Sequence, residues 1–250
     1  MGGQLVSEDY PQQLARVSAA LAAAQTQAIL GDITPICGFG DVQRFVDNAV
    51  GERFRLISEE LAFVALAFDG FDELIDEYLR ETPRQTYALD HSDQERFLGW
   101  LRSTRELDAK QRDFIGHQEA EYACLAKAQK NRAGHVAFQR LWTLSKQTQR
   151  ETQEQTNQAM QVNPIHVWSR MTIADNQPIS PGEDNVLFLA VGQEIRSLWL
   201  DAVQIAAVRD LTQHNPTTLA AWSASHPELT NAEQLCQELI AAGLLAMTTT

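Results

Sequence analysis

The sequence is short of the features that would place it in several large protein classes. Its three cysteines, Cys37, Cys124 and Cys236, are scattered and odd in number. That fits reduced thiols and not a disulfide framework. No apolar run is long enough to span a bilayer. The opening MGGQLVSEDY lacks the basic stretch and apolar core of a secretory signal. A cytoplasmic protein is therefore expected. Cations are scarce too: 20 lysines and arginines face 33 carboxylates, a formal net charge of −13. Such a field repels nucleic acid and anionic membrane, so neither is an expected partner. Also missing are a phosphate-binding glycine loop, a G-x-S-x-G elbow, a C-x-x-C pair and an H-E-x-x-H helix.

What remains is a chain able to bury a core, with 44% hydrophobic residues. Helical spacing of apolar residues dominates its first part. Leu14, Val17, Leu21 and Ile29 recur between Tyr10 and Leu30, and the glycines and prolines of GDITPICGFGD then break that helix. Asp41 can cap the next, whose inward face carries Val42, Phe45, Val46, Val50, Ile57, Leu61 and Val64. Gly70 interrupts before Phe71, Leu74, Ile75 and Tyr78. Phe97, Leu98 and Leu101 mark a further helix, and Leu107–Lys130 another with Phe114, Ile115, Tyr122 and Leu125 on one side. Gln118 interrupts that stripe. A helix around Val136–Leu144 decays into the polar SKQTQRETQEQTNQAMQ, which reads as a solvated helix end or a linker.

After Gln161 the texture changes to β-branched and aromatic residues. Strands are expected at about His166–Ile173, Val186–Val191 and Glu194–Leu200, the last two joined by a tight turn at Gly192. Helices follow at about Ala202–Gln213, Thr217–Ser225 and Asn231–Ala242. Asn231 is the expected cap of the final helix and Gly243 its expected left-handed stop. Three strands and then three helices make a winged-helix plan. The expected fold is therefore mainly α with a small α+β C-terminal domain: a helical bundle over residues 1–160 and a winged-helix-like module over 161–250.

Candidate chemistry is thin. His117 and Glu121 lie four apart on one helix and could share a metal, but an ordinary i,i+4 contact is the commoner outcome. His91 with Glu95 and Asp210 with His214 share the spacing without a second pair nearby. Asp90, His91 and Asp93 read best as a helix-cap region. Cys236 has no basic sequence neighbour to activate it, so it reads as a buried or half-buried thiol. Trp168, Trp199 and Trp222 read as packing residues, with a groove role for Trp199 as the minority reading. No catalytic and no metal site is expected.

RFVDNAV, FDGFDELIDEYL, HSDQERFLGWL and RDFIGHQEAEYACLA, in that order, resemble the N-terminal helical domain of the HvfC/BufC-like family. EIRSLWLDAVQIAAVRDLTQHNPTTLAAW and LCQELIAAGLL resemble its C-terminal module. The likeness is one of pattern and order and runs from about Leu14 to Leu245. The chain departs from the family pattern at Phe45 and Asp47, and in lacking a proline within ALAFDGF. Family members accompany multinuclear non-haem iron oxidative enzymes, which modify cysteine in ribosomally made precursor peptides. The C-terminal module of such a partner is a RiPP recognition element that binds the precursor's leader. The resemblance implies a non-catalytic subunit, no cofactor in this chain, iron in the partner enzyme, a heterodimer with that enzyme, and a precursor peptide as ligand.

The competing reading is a winged-helix DNA-binding regulator, and charge separates the two. From Val162 onward nine acidic side chains face three basic ones, Arg170, Arg196 and Arg209, a balance of −6. The final helix carries Glu233 and Glu238 and no base, so it lacks the main source of DNA affinity. A metalloenzyme is a weaker third reading, for want of a ligand set. The peptide reading places the leader between the third strand and the final helix. Its candidate residues are Glu194, Ile195, Arg196, Ser197, Leu198 and Trp199 on the strand, and Gln234, Cys236, Gln237 and Glu238 on the helix. Alternation separates Ile195, Ser197 and Trp199 from Arg196, Leu198 and Leu200, without saying which set meets the core. Arg196 is the base that would attract an acidic leader.

Overall fold

The computed structural model describes residues 39–82, 91–148, 158–171, 185–214 and 218–248. The helix expected over 10–30, Cys37 and Asp90 lie outside the described residues. The protein is mainly helical, with a few antiparallel strands in two small sheets. It divides into two compact units, Met1–Gln111 and Arg112–Thr250. The division falls within a helix, not at the expected 160/161.

In the first unit, α1 (Phe39–Glu60) and α2 (Ala62–Ala65) are followed by α3 (Phe71–Glu81) and α4 (Asp93–Thr104). Asp41, expected as a cap, lies inside α1. Ile57, Leu61 and Val64 are buried, as are Ile75, Tyr78, Phe97, Leu98 and Leu101. Gly70 takes a left-handed conformation at the start of α3. Ser92 and Glu95 form a reciprocal capping box that starts α4. The buried Arg53 grips the first residue of α4, donating from Nε and Nη2 to Asp93 at 2.7 and 3.0 Å, and also to the Thr82 carbonyl at 3.1 Å. Burial is the largest single effect and opposes the charge on Asp93, but the Arg53 hydrogen bonds, the charges of Arg53 and Arg96 and the Tyr78 hydroxyl together outweigh it and hold the carboxyl below its ordinary value.

The second unit begins with α5 (Ala109–Lys130), most of which belongs to it, and α6 (Arg132–Thr148). Then come β1 (Met160–Val162), β2 (His166–Ser169), β3 (Val186–Val191), β4 (Glu194–Trp199), α7 (Ala202–Gln213), α8 (Leu219–Ser225), α9 (Ala232–Ala242) and β5 (Leu245–Met247). β2, β3 and β4 form one antiparallel sheet in that order. β1 pairs with β5 in the other. The two short strands are an addition to the expected plan.

All six residues of β3 are buried. Leu187, Leu189 and Val191 join a core with Val208, Trp222, Leu235 and Leu239 from α7, α8 and α9. Val186, Phe188 and Ala190 meet Ala120 and Cys124 of α5. The sheet is thus covered on both faces, which explains why VLFLAV reads as a continuous apolar run and not an alternation. The stripe expected on α5 is corrected. Its buried positions are Asp113, Ile115, Gln118, Ala120 and Cys124, while Leu125 is exposed. Small side chains face the sheet, so helix and strand can approach closely. Gln118 satisfies itself by donating to Glu121 at 3.0 Å.

Asn163, fully buried between β1 and β2, ties several elements together. Its Nδ2 donates to the carbonyls of Ala190 (2.9 Å) and Gly243 (3.0 Å), and its Oδ1 accepts from the Ile165 amide (2.9 Å). Gly243 ends α9 with φ +96°. An added Cβ there would lie 2.7 Å from Val191 Cγ2. Asn231, by contrast, makes no side-chain capping hydrogen bond to α9.

Gly243→Ala should therefore lower unfolding stability by about 2–4 kcal/mol, from left-handed strain and overpacking together. Gly99→Ala, inside α4 with nothing within 4 Å of the new Cβ, should gain roughly 0.5–1 kcal/mol. Urea titration of both variants measures the contrast, and equal effects would refute the account.

Candidate functional site

The β3–β4 hairpin decides which backbone groups are available to a ligand. Its loop is the pair Gly192–Gln193, with Gly192 at φ +65°, so Val191 faces Glu194 across the turn. In an antiparallel ladder, residues that exchange both hydrogen bonds alternate with residues that exchange none. The bonded positions on β4 are then Glu194, Arg196 and Leu198, and the Leu200 amide continues the series by donating to Asn185 O at 3.2 Å. The amides of Ile195, Ser197 and Trp199 consequently point away from β3. Among the described residues β4 pairs only with β3, so those amides lie on an open edge.

Side chains sort by the same register. Leu198 and Leu200 pack against the core shared with α7–α9, and Ile195 against the core under α5. The alternation thus serves both cores. Trp199 is 47% exposed and Val203, at the start of α7, 43%. Arg196 is engaged by Glu194 at 3.2 Å.

Just beyond the end of β4 lies a cleft of about 430 Å³. Its walls are the start of α7 (Asp201, Val203, Gln204), the segment Glu228–Asn231, and one side of α9 (Gln234, Leu235, Glu238). Of the expected helix residues, Gln234 and Glu238 reach the cleft. Gln237 is exposed but does not line it. Cys236 is corrected: it is 2% exposed and sits in the core beside Met160 Sδ at 3.8 Å. Position 236 falls on the same inward face as Leu235, Leu239 and Ile240. The strand residues Glu194–Trp199 form the neighbouring edge and not the cleft wall.

The cleft is acidic. Asp201 is engaged as the cap of α7, accepting from the amides of Val203 and Gln204. Glu238 accepts from Gln234 at 3.0 Å. Glu228 accepts from His226 Nδ1 at 3.0 Å, and His226 Nε2 reaches Asp210 Oδ2 at 3.2 Å. The same Asp210 also meets His214 at 2.8 Å. Sequence spacing identified Asp210 with His214 but missed His226, because the contact spans the α7–α8 connection. No group of three or more His, Cys, Asp or Glu side chains placed to hold a metal is found among the described residues. His117 and Glu121 form the ordinary i,i+4 contact at 3.5 Å, and the His117 ring meets Phe188 edge-on. Cys124 and Cys236 are both pushed up to about 11, chiefly by burial. Neither is poised as a nucleophile.

The chain matches no family model, no curated protein and no solved structure.

Two outcomes follow from these groups. Burial opposes the charge on His226, but Asp210 and Glu228 outweigh it and raise its pKa. Its stabilising contribution is therefore fully present below the unfolded value of about 6.5 and fades as pH rises through the raised folded value. His226→Gln should lower the melting temperature at pH 6 and have little effect at pH 9. An equal loss at both pH values would overturn this. Native alkylation at pH 8 followed by peptide mass analysis should leave Cys124 and Cys236 unmodified until denaturant is added.

Proposed function

We propose that this chain is a non-catalytic partner subunit of a multinuclear non-haem iron oxidative enzyme. It binds the leader of a ribosomally made precursor peptide and holds that peptide beside the enzyme, where a cysteine is modified. The observation that carries the reading is the open edge of β4, with the Ile195, Ser197 and Trp199 amides directed outward next to a cleft along α9. An extended peptide adds to such an edge by main-chain hydrogen bonds and gains specificity from flanking pockets.

The order β2-β3-β4-α7-α8-α9 supports a winged-helix-like recognition module, and the family resemblance supplies the class of partner. Tethering the leader raises the effective concentration of the reactive segment at the catalyst. The iron belongs to the partner enzyme in this reading, and the complex works in the cytoplasm. No described helix is long and apolar enough to cross a membrane. Exposed Leu56, Phe63 and Leu66 in the first unit offer apolar surface to the enzyme. The final helix turns Glu233, Gln234, Gln237 and Glu238 outward, a poor surface for DNA phosphates.

The test is co-expression with a multinuclear non-haem iron oxidative enzyme and a short cysteine-containing precursor peptide. Size-exclusion chromatography should give one heteromeric peak. Ser197→Pro removes an edge amide and should weaken leader binding roughly tenfold by fluorescence polarisation, with circular dichroism unchanged. Separate peaks at micromolar concentration, or full leader affinity in a folded Ser197→Pro variant, would refute the proposal.

A further inference from the structure

Resting on that reading, we infer that the segment added to β4 is cationic: it alternates a lysine or arginine, directed into the cleft beside α9, with an apolar residue directed onto Trp199.

The placement follows from strand geometry. A peptide hydrogen-bonded to Ile195, Ser197 and Trp199 runs alongside β4 and reaches Asp201, the near wall of the cleft. Asp201 is two residues beyond Trp199, or about 7 Å of extended chain. Side chains of the added strand alternate between the two sides of the sheet. Those on the side shared with Leu198 and Leu200 face the helices, where the cleft opens. Those on the other side meet the exposed Trp199 ring.

The charge of the cleft selects the occupant. Asp201, Glu228 and Glu238 line the cleft and no lysine or arginine does; Glu228 shares its charge with His226, which leaves Asp201 and Glu238 as the carboxylates without a basic partner among those lining residues. Two nearby cations are committed elsewhere: Arg196 pairs with Glu194, and Arg209 stacks on Trp168 at 4.9 Å. An acidic peptide would bring like charge against Asp201 and Glu238. A second copy of the chain is a poor occupant for the same reason, since its own excess is nine acids to three bases after Val162. A lysine or arginine suits the cleft in charge, and its aliphatic stem can lie along Val203 and Leu229.

The experiment uses the full chain and short fluorescein-labelled peptides that alternate valine with lysine, glutamine or glutamate. Fluorescence polarisation should rank them lysine, then glutamine, then glutamate, with the lysine peptide weakened by salt at roughly 0.5 M. The double variant Asp201→Asn, Glu238→Gln keeps a good helix cap. It should cost the lysine peptide roughly tenfold in affinity. N-methylation of alternate lysine-peptide amides should abolish binding, because it blocks strand addition without touching the protein. Equal binding of the lysine and glutamate peptides, or no loss in the double variant, overturns the charge assignment. If N-methylation still abolishes binding in that case, the edge reading itself survives. Binding that ignores N-methylation, or no binding of the lysine peptide to the unaltered chain, overturns the inference outright.

Discussion

The second unit depends on one buried amide. Asn163 has a donor nitrogen and an acceptor oxygen, and the structure uses both: the nitrogen for Ala190 and Gly243, the oxygen for Ile165. Each of those backbone groups is buried, and each would be costly to leave unpaired. The side chain thereby fixes the spacing between the β1–β2 connection, the end of β3 and the exit from α9. Its own amide adds a bond to Leu244 O at 2.7 Å. Leucine in its place would fill similar volume, strand the Gly243 carbonyl and the Ile165 amide, and leave Ala190 O with only the 3.4 Å bond from Gln139 Nε2.

From that fixed point the hairpin and the final helix acquire their relation. β3 is held on both faces, so β4 can lie at the margin without losing its register. An open edge is ordinarily a liability, because it templates pairing with another strand. Here Glu194, the Glu194–Arg196 pair and the acidic cleft surround the edge with charge. That charge discourages self-association while leaving the amides accessible.

Much of this architecture was legible in the sequence. α7, α9 and the Gly192 turn fall close to where periodicity and turn chemistry put them, and Gly243 stops the helix as glycine does. Those are local signals. What was not legible depends on contacts between distant residues. β1 and β5 hold only three residues each and exist because they pair with each other. α6 reads alone as a helix running into a polar stretch. Its place in the second unit comes from Trp142 donating to Ile240 O at 2.5 Å and Ser145 donating to Met247 O at 3.0 Å. Of the candidate site, the strand and its neighbours on α9 were visible. Cys236 was misplaced by one step around the helix. The acidic cleft wall at Asp201 and Glu228 was missed, because those residues meet only once α7 and the α8–α9 connection are folded.

The pairing of β1 with β5 has a kinetic meaning. Thr248 donates to Ala159 O across 89 positions of sequence, and Met247 donates to Ser145 Oγ across 102. Closing a loop of that size costs about 4 kcal/mol in its length-dependent entropy alone. The reward is burial: Met160, Leu245 and Met247 join the core with α7–α9, so the clasp closes onto a hairpin and helices that have already collapsed. A nascent chain leaving the ribosome cannot complete it until residues 245–248 have emerged. The unit therefore matures only once β5 has been made and has met β1.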